Sequence, residues 1–471
     1  MRIESIQLIK EDQPKYLQLF DQIKQQITSG DIKAGERLPT IRSLAEILDI
    51  NSVTVVNAYK QLENNNYITA KKGSGYYVSK NIIKKEEIFS SSDVGMVPEA
   101  STINFASATA HPEIFPIESF KECINEVLER DKGFAFGYQE SNGFKPLRKS
   151  ILDYLIKKYS IFAGDEENIL IVSGAQQGID LIGKVLLNPG DYVITENPTY
   201  DGAVAVFKSR GARVVGVNME EDGIDLEDLE KKIRICKPKF LYLMTNFQNP
   251  TTISYSMKKL EEILKLAVKF NVYVVEDDTM SELCYRVEKP DLLKALDKNN
   301  EYVIYLKSFS KILMPGLRIG GMVIPDIIMR DFTKIKHNTD ITSSGLIQRS
   351  LDQYFRTGKW DEHLQYMKEI YKGKYEFMLS QLEKLEKYGV KFNKPNGGLY
   401  FWIRLQKQMS ADEIYEKCGR KGLLVIPSGI FYELDNKFKD SNLRLSFASP
   451  NIEQIREGMN ILEKCISESL L

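Results

Sequence analysis

The segment from Ser308 to Gly320, SFSKILMPGLRIG, concentrates residues that could carry out chemistry. Lys311 follows an apolar run, Tyr302 to Leu306, which is typical of a buried parallel strand. An unpaired ammonium is costly to bury, but a buried amine with a lowered pKa is a good nucleophile toward a carbonyl carbon. The nearby serines and Arg318 suit a phosphate group. The local spacing alone leaves open a simpler interpretation, a surface lysine in a connecting loop.

Four further apolar runs, each predicted to be a strand, also precede residues that suit a ligand. From about residue 101 onward such runs alternate with helix-length segments, which predicts an α/β domain with a mostly parallel sheet. Ligands of these sheets bind at the carboxyl ends of the strands. Each signal has an ordinary alternative, such as a plain turn, ring packing or a solvated acidic turn. The runs and their following residues are Ile169–Val172 with Ala175 and Gln176, Tyr192–Thr195 with Tyr200, Phe240–Met244 with Asn249, and Val272–Val275 with Asp277 and Asp278.

Pyridoxal 5′-phosphate requires such a combination of groups. A lysine bonds to its aldehyde, and a carboxylate keeps its pyridine nitrogen protonated so that the ring can withdraw electrons. An asparagine amide can donate to the ring phenolate oxygen, while backbone N–H groups, serines and an arginine hold the phosphate.

The segment SFSKILMPGLRIG, with the surrounding residues 103–465, resembles the fold-type-I, aspartate aminotransferase-like enzymes. The resemblance implies that Lys311 forms an internal aldimine, that Asp277 pairs with the pyridine nitrogen, and that Asn249 and Tyr200 contact the ring. It also implies a set of phosphate-binding residues, namely Ala175, Gln176, Ser308, Ser310, Arg318 and, from a neighbouring subunit, Tyr138 of YQESNGFKPLR.

The resemblance extends to the substrate side and to a smaller α+β subdomain at about residues 350–471. Arg444 in SNLRLSFA resembles the arginine that takes the substrate α-carboxylate, and Gly398 in PNGGLYFW belongs to a substrate-side glycine turn. One position departs from the family, because Thr279 and Met280 stand where relatives usually have a tyrosine that donates to the phenolate oxygen. Thr279 could donate the same bond, but Met280 cannot.

The first eighty residues follow another pattern. Residues 16–29 have the periodicity of an amphipathic helix, Thr40 can cap a second helix, and Asn51 or Ser52 can cap a third with Val56, Tyr59 and Leu62 inward. The segment YITAKKGSGYYV predicts a β-hairpin. Two short helices with a tight turn and a following hairpin indicate a winged helix-turn-helix at residues 1–79. The alternative is a small helical interaction module with a solvated charged face.

The charge of this region supports DNA binding only weakly, since residues 1–80 hold eleven basic and nine acidic side chains. The segments GDIKAGERLPTIRSLAEIL, TVVNAYKQLENNNYI and KKGSGYYV resemble the GntR winged helix-turn-helix, most of all its MocR/GabR branch. The family usually begins the recognition helix with Ser-Arg, whereas this chain has Asn51-Ser52. The predicted DNA contacts are Arg37, Arg42, Ser52, Val53, Thr54, Lys71, Lys72 and Gly73.

The composition bounds the remaining possibilities. The chain has 471 residues, a formal net charge of −1 and 43% hydrophobic residues, which is typical of a soluble globular protein of two or three domains. Its five cysteines are far apart and it has three histidines, so we expect no metal site and no disulfide framework, and a cytoplasmic location. No apolar run approaches about 18 residues, so we expect no membrane span.

The chain therefore predicts a pyridoxal-phosphate-dependent transcriptional regulator. Residues 1–79 would bind promoter DNA, 80–100 would form a linker, and 101–471 would sense an amino-group ligand or the cofactor itself at Lys311. The main alternative is an active aminotransferase with an accessory winged helix, and another is a regulator that senses the level of pyridoxal phosphate. The resemblance also implies a homodimer, in which each winged helix could cross head-to-tail to the partner.

Overall fold

The structure is a computed structural model that describes residues 14–28, 32–33, 35–64, 67–71, 74–79, 102–162, 164–285, 289–432 and 441–470. The chain divides into two compact units, residues 1–89 and residues 90–471. The predicted linker, residues 80–100, lies outside the described residues, so the predicted domain boundaries stay predictions. No helix in the described ranges is long and apolar enough to cross a membrane.

The smaller unit combines short helices with an antiparallel hairpin. Thr40 and Asn51 cap the second and third helices, since their side-chain oxygens accept from the backbone N–H groups of Ser43 at 3.2 Å and Val53 at 2.8 Å. The hairpin pairs residue 68 with 78 and residue 71 with 75. The elements are α1 (Lys15–Thr28), α2 (Ile41–Ile47), α3 (Ser52–Asn64), β1 (Ile68–Lys71) and β2 (Gly75–Val78).

The core of this unit corrects one detail of the predicted helix α3. Tyr59 and Leu62 are buried as predicted, but Val55 occupies the third inward position and Val56 is only half-buried. Residues 55, 59 and 62 follow the spacing of one helical face, and position 56 lies beside that face. The Tyr59 hydroxyl also donates to the Pro39 carbonyl at 2.9 Å, which ties α3 to the segment before α2.

The larger unit is built around an eight-stranded mixed sheet, ordered β4-β11-β10-β9-β8-β5-β6-β7. Strands β7 and β11 run antiparallel to their neighbours and the other pairs are parallel, which agrees with the predicted, mostly parallel sheet. The strands are β3 (Ile103–Asn104), β4 (Ile169–Val172), β5 (Tyr192–Asn197), β6 (Arg213–Glu220), β7 (Gly223–Ile224), β8 (Phe240–Leu243), β9 (Tyr273–Asp278), β10 (Val303–Ser308), β11 (Gly320–Val323), β12 (Lys391–Phe392), β13 (Tyr400–Arg404), β14 (Leu423–Leu424), β15 (Ile426–Pro427) and β16 (Asn442–Ser446).

Helices cover both faces of this sheet. Apolar side chains of α6, α7 and α11 pack on one face, and those of α8, α9 and α10 pack on the other. The helices are α4 (Ile117–Asp131), α5 (Lys145–Tyr159), α6 (Ala175–Leu186), α7 (Asp201–Ser209), α8 (Leu226–Cys236), α9 (Met257–Phe270), α10 (Leu293–Leu296), α11 (Asp326–Asp340), α12 (Gly345–Arg356), α13 (Lys359–Leu382), α14 (Ala411–Arg420) and α15 (Ile452–Ser467).

A second, antiparallel sheet forms the C-terminal part of this unit, in the order β12-β13-β16-β15. Helix α15 packs against α13 and α14 in the same part of the unit. The short strand β3 pairs in parallel with β14, so the first described strand of this unit joins its C-terminal part. This arrangement is α+β, as the sequence predicts for the smaller subdomain.

Candidate active site

A cavity of about 670 Å³ is lined by the residues that follow several strands of the large sheet. The predicted site residues that line it are Ala175, Gln176, Tyr200, Asn249, Asp277, Ser308, Ser310, Lys311, Arg318 and Arg444. Further lining residues include Ala108, Thr109, Thr279 and Tyr400, of which sequence reasoning had considered only Thr279. Residues far apart in the chain thus meet where the rule for parallel sheets expects a ligand.

Lys311 stands in the turn just after β10, where it lines the cavity. Burial, reinforced by the positive charge of Arg444, lowers the pKa of the Lys311 amine to about 8. A lower pKa leaves a larger fraction of the amine neutral near pH 7, and the neutral amine is the form that adds to a carbonyl carbon. Lys311 is therefore not the exposed loop residue of the simpler interpretation.

Asp277 is buried near the end of β9 and uses only one of its two carboxyl oxygens. The Tyr242 hydroxyl donates to Oδ2 at 2.5 Å. Oδ1 is buried and has no hydrogen-bond partner. A buried, unpaired carboxyl oxygen on a cavity wall is costly unless a donor meets it, and the protonated nitrogen of a pyridine ring is such a donor. The residues present therefore fit pyridoxal phosphate at this position.

The turn between β4 and α6 forms a cradle suited to a phosphate. Gly174 has φ +86°, and the helix beginning at Ala175 directs free backbone N–H groups and its positive end outward. The Arg318 guanidinium donates to the Ser173 carbonyl at 3.0 Å. A Cβ at position 174 would lie 2.8 Å from Arg318 Nη2, so only glycine leaves this arginine in place.

Arg444 of β16 also lines the cavity. Its two terminal nitrogens donate to Asn249 Oδ1 at 2.7 Å and to the Ala106 carbonyl at 2.9 Å, and its guanidinium lies 4.6 Å from the Tyr400 ring centroid. Its Nε is buried and has no partner. A desolvated guanidinium that is held by neutral groups suits a carboxylate ligand.

Two predicted residues lie outside the cavity lining. Tyr138 is 83% exposed, so any contact it makes with a phosphate would have to come from a second subunit. The Gly398 N–H donates to the Leu283 carbonyl at 3.0 Å, and its carbonyl accepts from the Tyr285 hydroxyl at 2.6 Å. Because a Cβ there would lie 2.9 Å from Phe247, Gly398 supports the packing beneath the site. Its predicted role toward a ligand stays a prediction.

The predicted DNA contacts fall into three groups. Arg37, Arg42, Ser52, Val53 and Lys71 are exposed, and Thr54 is half-buried. Lys72 and Gly73 lie outside the described residues. The ammonium of Lys71 lies 4.7 Å from the Tyr77 ring centroid, beside the turn of the hairpin. Exposure is compatible with DNA contact for the first group, and the contacts themselves stay predictions.

Family comparisons agree with this geometry. The family "Aminotransferase class I and II" matches residues 104–462, and "Bacterial regulatory proteins, gntR family" matches residues 15–78. The chain belongs to the aminotransferase class I and II family. It carries a GntR-type DNA-binding domain in front of the aminotransferase domain. The predicted family and fold class are therefore confirmed, and so is the cofactor class, since this family depends on pyridoxal phosphate.

Relatives share both parts of the chain or only the larger one. The uncharacterized HTH-type transcriptional regulator YdfD of Bacillus subtilis is 32% identical, with 97% of each chain covered. The probable rhizopine catabolism regulatory protein MocR of Rhizobium meliloti is 25% identical over 96% of this chain and 93% of its own. The crystal structure of kynurenine aminotransferase from Pyrococcus horikoshii, in complex with PMP, has a TM-score of 0.74 and 33% identity over 79% of this chain and 92% of its own.

We predict that Lys311 reacts selectively with pyridoxal phosphate in the cofactor-free protein. Borohydride should fix the label on Lys311, with a yield that rises as the pH increases through about 8, because that is where its amine loses its proton. Mass spectrometry of the peptides gives both the position and the yield. Lys374 is a matched internal control, since burial also lowers its pKa to about 8 but it donates to the Ala448 carbonyl and does not line the cavity. Equal labelling of the two lysines would contradict the assignment.

We predict that Gly174→Ala weakens binding of pyridoxal phosphate at least several-fold but changes binding of pyridoxal, which has no phosphate, much less. The added Cβ would displace Arg318 from the cradle. Gly190→Ala is the matched control, because Gly190 has a similar φ of +90° and nothing within 4 Å of the added carbon. Both variants thus carry the same backbone strain. Affinities can be measured by fluorescence titration, and equal losses in the two variants would argue against a phosphate cradle.

Proposed function

We propose that the protein is a cytoplasmic transcriptional regulator that binds promoter DNA through its winged helix and responds to an amino acid at the aminotransferase site. The observation that carries the proposal is that Lys311 and Arg444 line one cavity. Lys311 marks the place where an amine can bond to a cofactor aldehyde, and Arg444 is a buried guanidinium with a donor that lacks a partner. Together they favour a ligand with both an amino and a carboxylate group. The fused GntR-type domain gives the occupancy of this cavity a way to affect DNA binding.

Pyridoxal phosphate, when bound, supplies an electrophilic carbon and an electron-withdrawing ring. Lys311 would provide the amine that holds the cofactor at this carbon. Asp277 would keep the ring nitrogen protonated, and Arg318 with the start of α6 would hold the phosphate. Arg444 would hold the ligand carboxylate and so orient the ligand amine toward Lys311. A site with Lys311 engaged and a site with the ligand amine in its place would be two distinct states, which a regulator needs.

A second candidate function, transamination, is supported by the same side chains and by the relatives. The aromatic-amino-acid aminotransferase 1 of Thermococcus litoralis is 33% identical over 80% of this chain. The residues that stand in place of the expected tyrosine bear on the efficiency of transamination. Thr279 lines the cavity, whereas Met280 is fully buried. Thr279 is therefore the residue of this pair that would offer a hydroxyl to the ring oxygen. A regulator that senses only the cofactor is the remaining alternative.

The DNA-binding surface that we propose combines α2, α3 and the hairpin. Arg42 of α2 and Lys71 of β1 are exposed and suit phosphate contacts. Val53 is 62% exposed at the start of α3 and offers an apolar contact to the major groove, where thymine presents a methyl group. The Asn51 side chain caps the helix and is therefore engaged within the protein.

We predict that the full-length protein binds DNA from its own promoter region and that an amino acid changes this affinity. Lys311→Ala should keep DNA binding but lose the amino-acid effect, because the variant lacks the amine whose release would distinguish the ligand-bound from the ligand-free state. Arg42→Ala should weaken binding about several-fold and reduce the salt dependence by about one phosphate contact. Lys33→Ala, another exposed basic residue of the same unit, is the control. Fluorescence anisotropy at several salt concentrations measures the DNA affinity of all three variants.

Two outcomes would overturn the regulatory proposal. One is the absence of binding to promoter DNA at low salt. The other is continuous keto-acid release over many turnovers together with DNA affinity that no amino acid changes. If removal of the cofactor alters DNA affinity but amino acids do not, the protein responds to pyridoxal phosphate alone.

The aromatic segment that holds Phe134, Phe136 and Tyr138 supports a homodimer. These side chains are 82%, 70% and 83% exposed, and large apolar groups clustered on a surface commonly mark an interface. We propose that the segment meets a second copy of the chain and that Tyr138 contacts the cofactor phosphate bound by that copy. Exchange of the winged helices between the two copies would be compatible with this contact.

We predict that Phe134→Glu with Phe136→Glu converts a dimer to a monomer in sedimentation experiments, whereas Ile327→Glu, at a position 81% exposed on α11, does not. Mixed dimers test the role of Tyr138. A dimer of one Tyr138→Phe chain and one Lys311→Ala chain should contain one fully intact site if Tyr138 acts across the interface, and none if it acts within its own chain. We therefore expect half of the sites to bind the cofactor with native affinity. A mixed dimer in which both sites bind the cofactor more weakly would contradict the proposal.

A further inference from the structure

We propose that Tyr242 is a positioning residue for the cofactor, acting through Asp277. Its hydroxyl donates to Asp277 Oδ2 at 2.5 Å, and Oδ1, which has no hydrogen-bond partner, is the oxygen that would meet the pyridine nitrogen. This inference rests on the proposed use of pyridoxal phosphate. Tyr242 itself does not line the cavity, so it acts on the ring only by way of the carboxylate.

Three consecutive buried carboxylates at the end of β9 show why Asp277 differs from its neighbours. Glu276 accepts from the backbone N–H groups of Leu293 and Lys294, each at 2.7 Å, and from the Thr245 hydroxyl, so both of its oxygens are engaged. It points to the side of the sheet covered by α10. Glu276 is therefore satisfied within the protein.

Asp278 is satisfied by a cation. Lys307 of β10 donates to its Oδ2 at 2.9 Å and to Glu282 at 2.5 Å, and the Tyr305 hydroxyl donates to the same Oδ2 at 2.5 Å. Its Oδ1 accepts from the backbone N–H groups of residues 280 and 281. Among these three carboxylates, all in the described part of the chain, Asp277 alone retains a buried oxygen without a donor.

The charged and titratable groups around Asp277 come from three strands and one loop. Burial raises the pKa of the Asp277 carboxyl to about 7, and the adjacent Asp278 raises it as well. The Tyr242 hydrogen bond and the more distant Lys307 ammonium lower that pKa. Tyr200, from the loop after β5, interacts with Asp277 electrostatically. The hydroxyl of Tyr242 is thus the directly bonded group that favours the ionised carboxylate.

Tyr242 is suited to donate at every relevant pH. Burial and the negative charge of Asp277 raise the pKa of Tyr242 well above its usual value, so the hydroxyl keeps its proton. Its ring is fully buried on β8 and makes an edge-on contact with Phe207, with centroids 5.6 Å apart. This packing fixes the direction of the hydroxyl, and the hydroxyl in turn fixes the rotation of the Asp277 carboxylate.

The test uses the full-length, cofactor-free protein and two ligands. One is pyridoxal phosphate, and the other is its analogue with a carbon in place of the ring nitrogen, which cannot contact Asp277 through an N–H. In Tyr242→Phe we expect the affinity for pyridoxal phosphate to fall by about tenfold or more, in line with the loss of a hydrogen bond to a charged group. The affinity for the carbon analogue should change by less than about twofold. Fluorescence titration measures both.

Tyr305→Phe is the matched control, because it removes a hydroxyl with the same burial and the same 2.5 Å distance from the neighbouring carboxylate, Asp278, which Lys307 keeps paired. It should leave the ratio of the two affinities unchanged. Tyr242→Met also lacks the hydroxyl but refills the space differently, and it should give the same discrimination between ligands as Tyr242→Phe.

Equal losses for the two ligands in the Tyr242 variants, or the same discrimination in Tyr305→Phe, would overturn the proposal and leave Tyr242 with a packing role. Failure of the unmodified protein to bind pyridoxal phosphate would instead contradict the cofactor assignment on which the proposal rests. Failure of ligands to change DNA affinity would contradict only the regulatory function. The three outcomes are therefore distinguishable.

Discussion

The parallel pairing of β9 with β10 is the constraint on which the site depends. Its register places Asp278 beside Lys307 and Asp277 beside Leu306. The Lys307–Asp278 ion pair is buried, and removing one partner of such a pair leaves an uncompensated charge that costs roughly 3–5 kcal/mol. Since successive side chains of a strand point to opposite faces, fixing Asp278 on one face directs Asp277 to the cavity on the other. Ser308 ends β10, and Lys311 lies in the turn that follows.

The sequence indicated the strands of this site more reliably than their ends. The apolar runs located β5, β9 and β10, but each strand continues two or three residues into the polar segment that follows. Polar residues can stay in the sheet there because buried partners neutralise them, as Lys307 does for Asp278. A pattern of hydrophobicity contains no information about such partners. For the same reason Tyr242 went unnoticed, since within an apolar run a tyrosine cannot be told from a packing residue until its hydroxyl partner is known.

The winged-helix unit shows where local rules are sufficient and where they are not. Capping depends on residues two or three positions apart, and Thr40 and Asn51 both act as the sequence predicts. The inward face of α3 depends on tertiary packing, and here the choice between Val55 and Val56 required the structure. Contacts to DNA depend on a partner outside the chain, so neither the sequence nor the exposure of Arg42 and Val53 determines them.

Arg444 links the two sheets of the larger unit at the cavity. It belongs to the smaller antiparallel sheet, yet it donates to Asn249 in the loop after β8 of the large sheet, a contact between residues 195 positions apart. In the proposed function, a ligand carboxylate would bind Arg444 beside this link, and the ligand amine would take the place of Lys311 in the turn after β10. One small molecule in this cavity would thus contact residues of both sheets. A ligand shifts a conformational equilibrium only by its differential affinity for the two states. Contacts to Arg444 and Lys311, which are attached to different sheets, would be a direct source of such a difference.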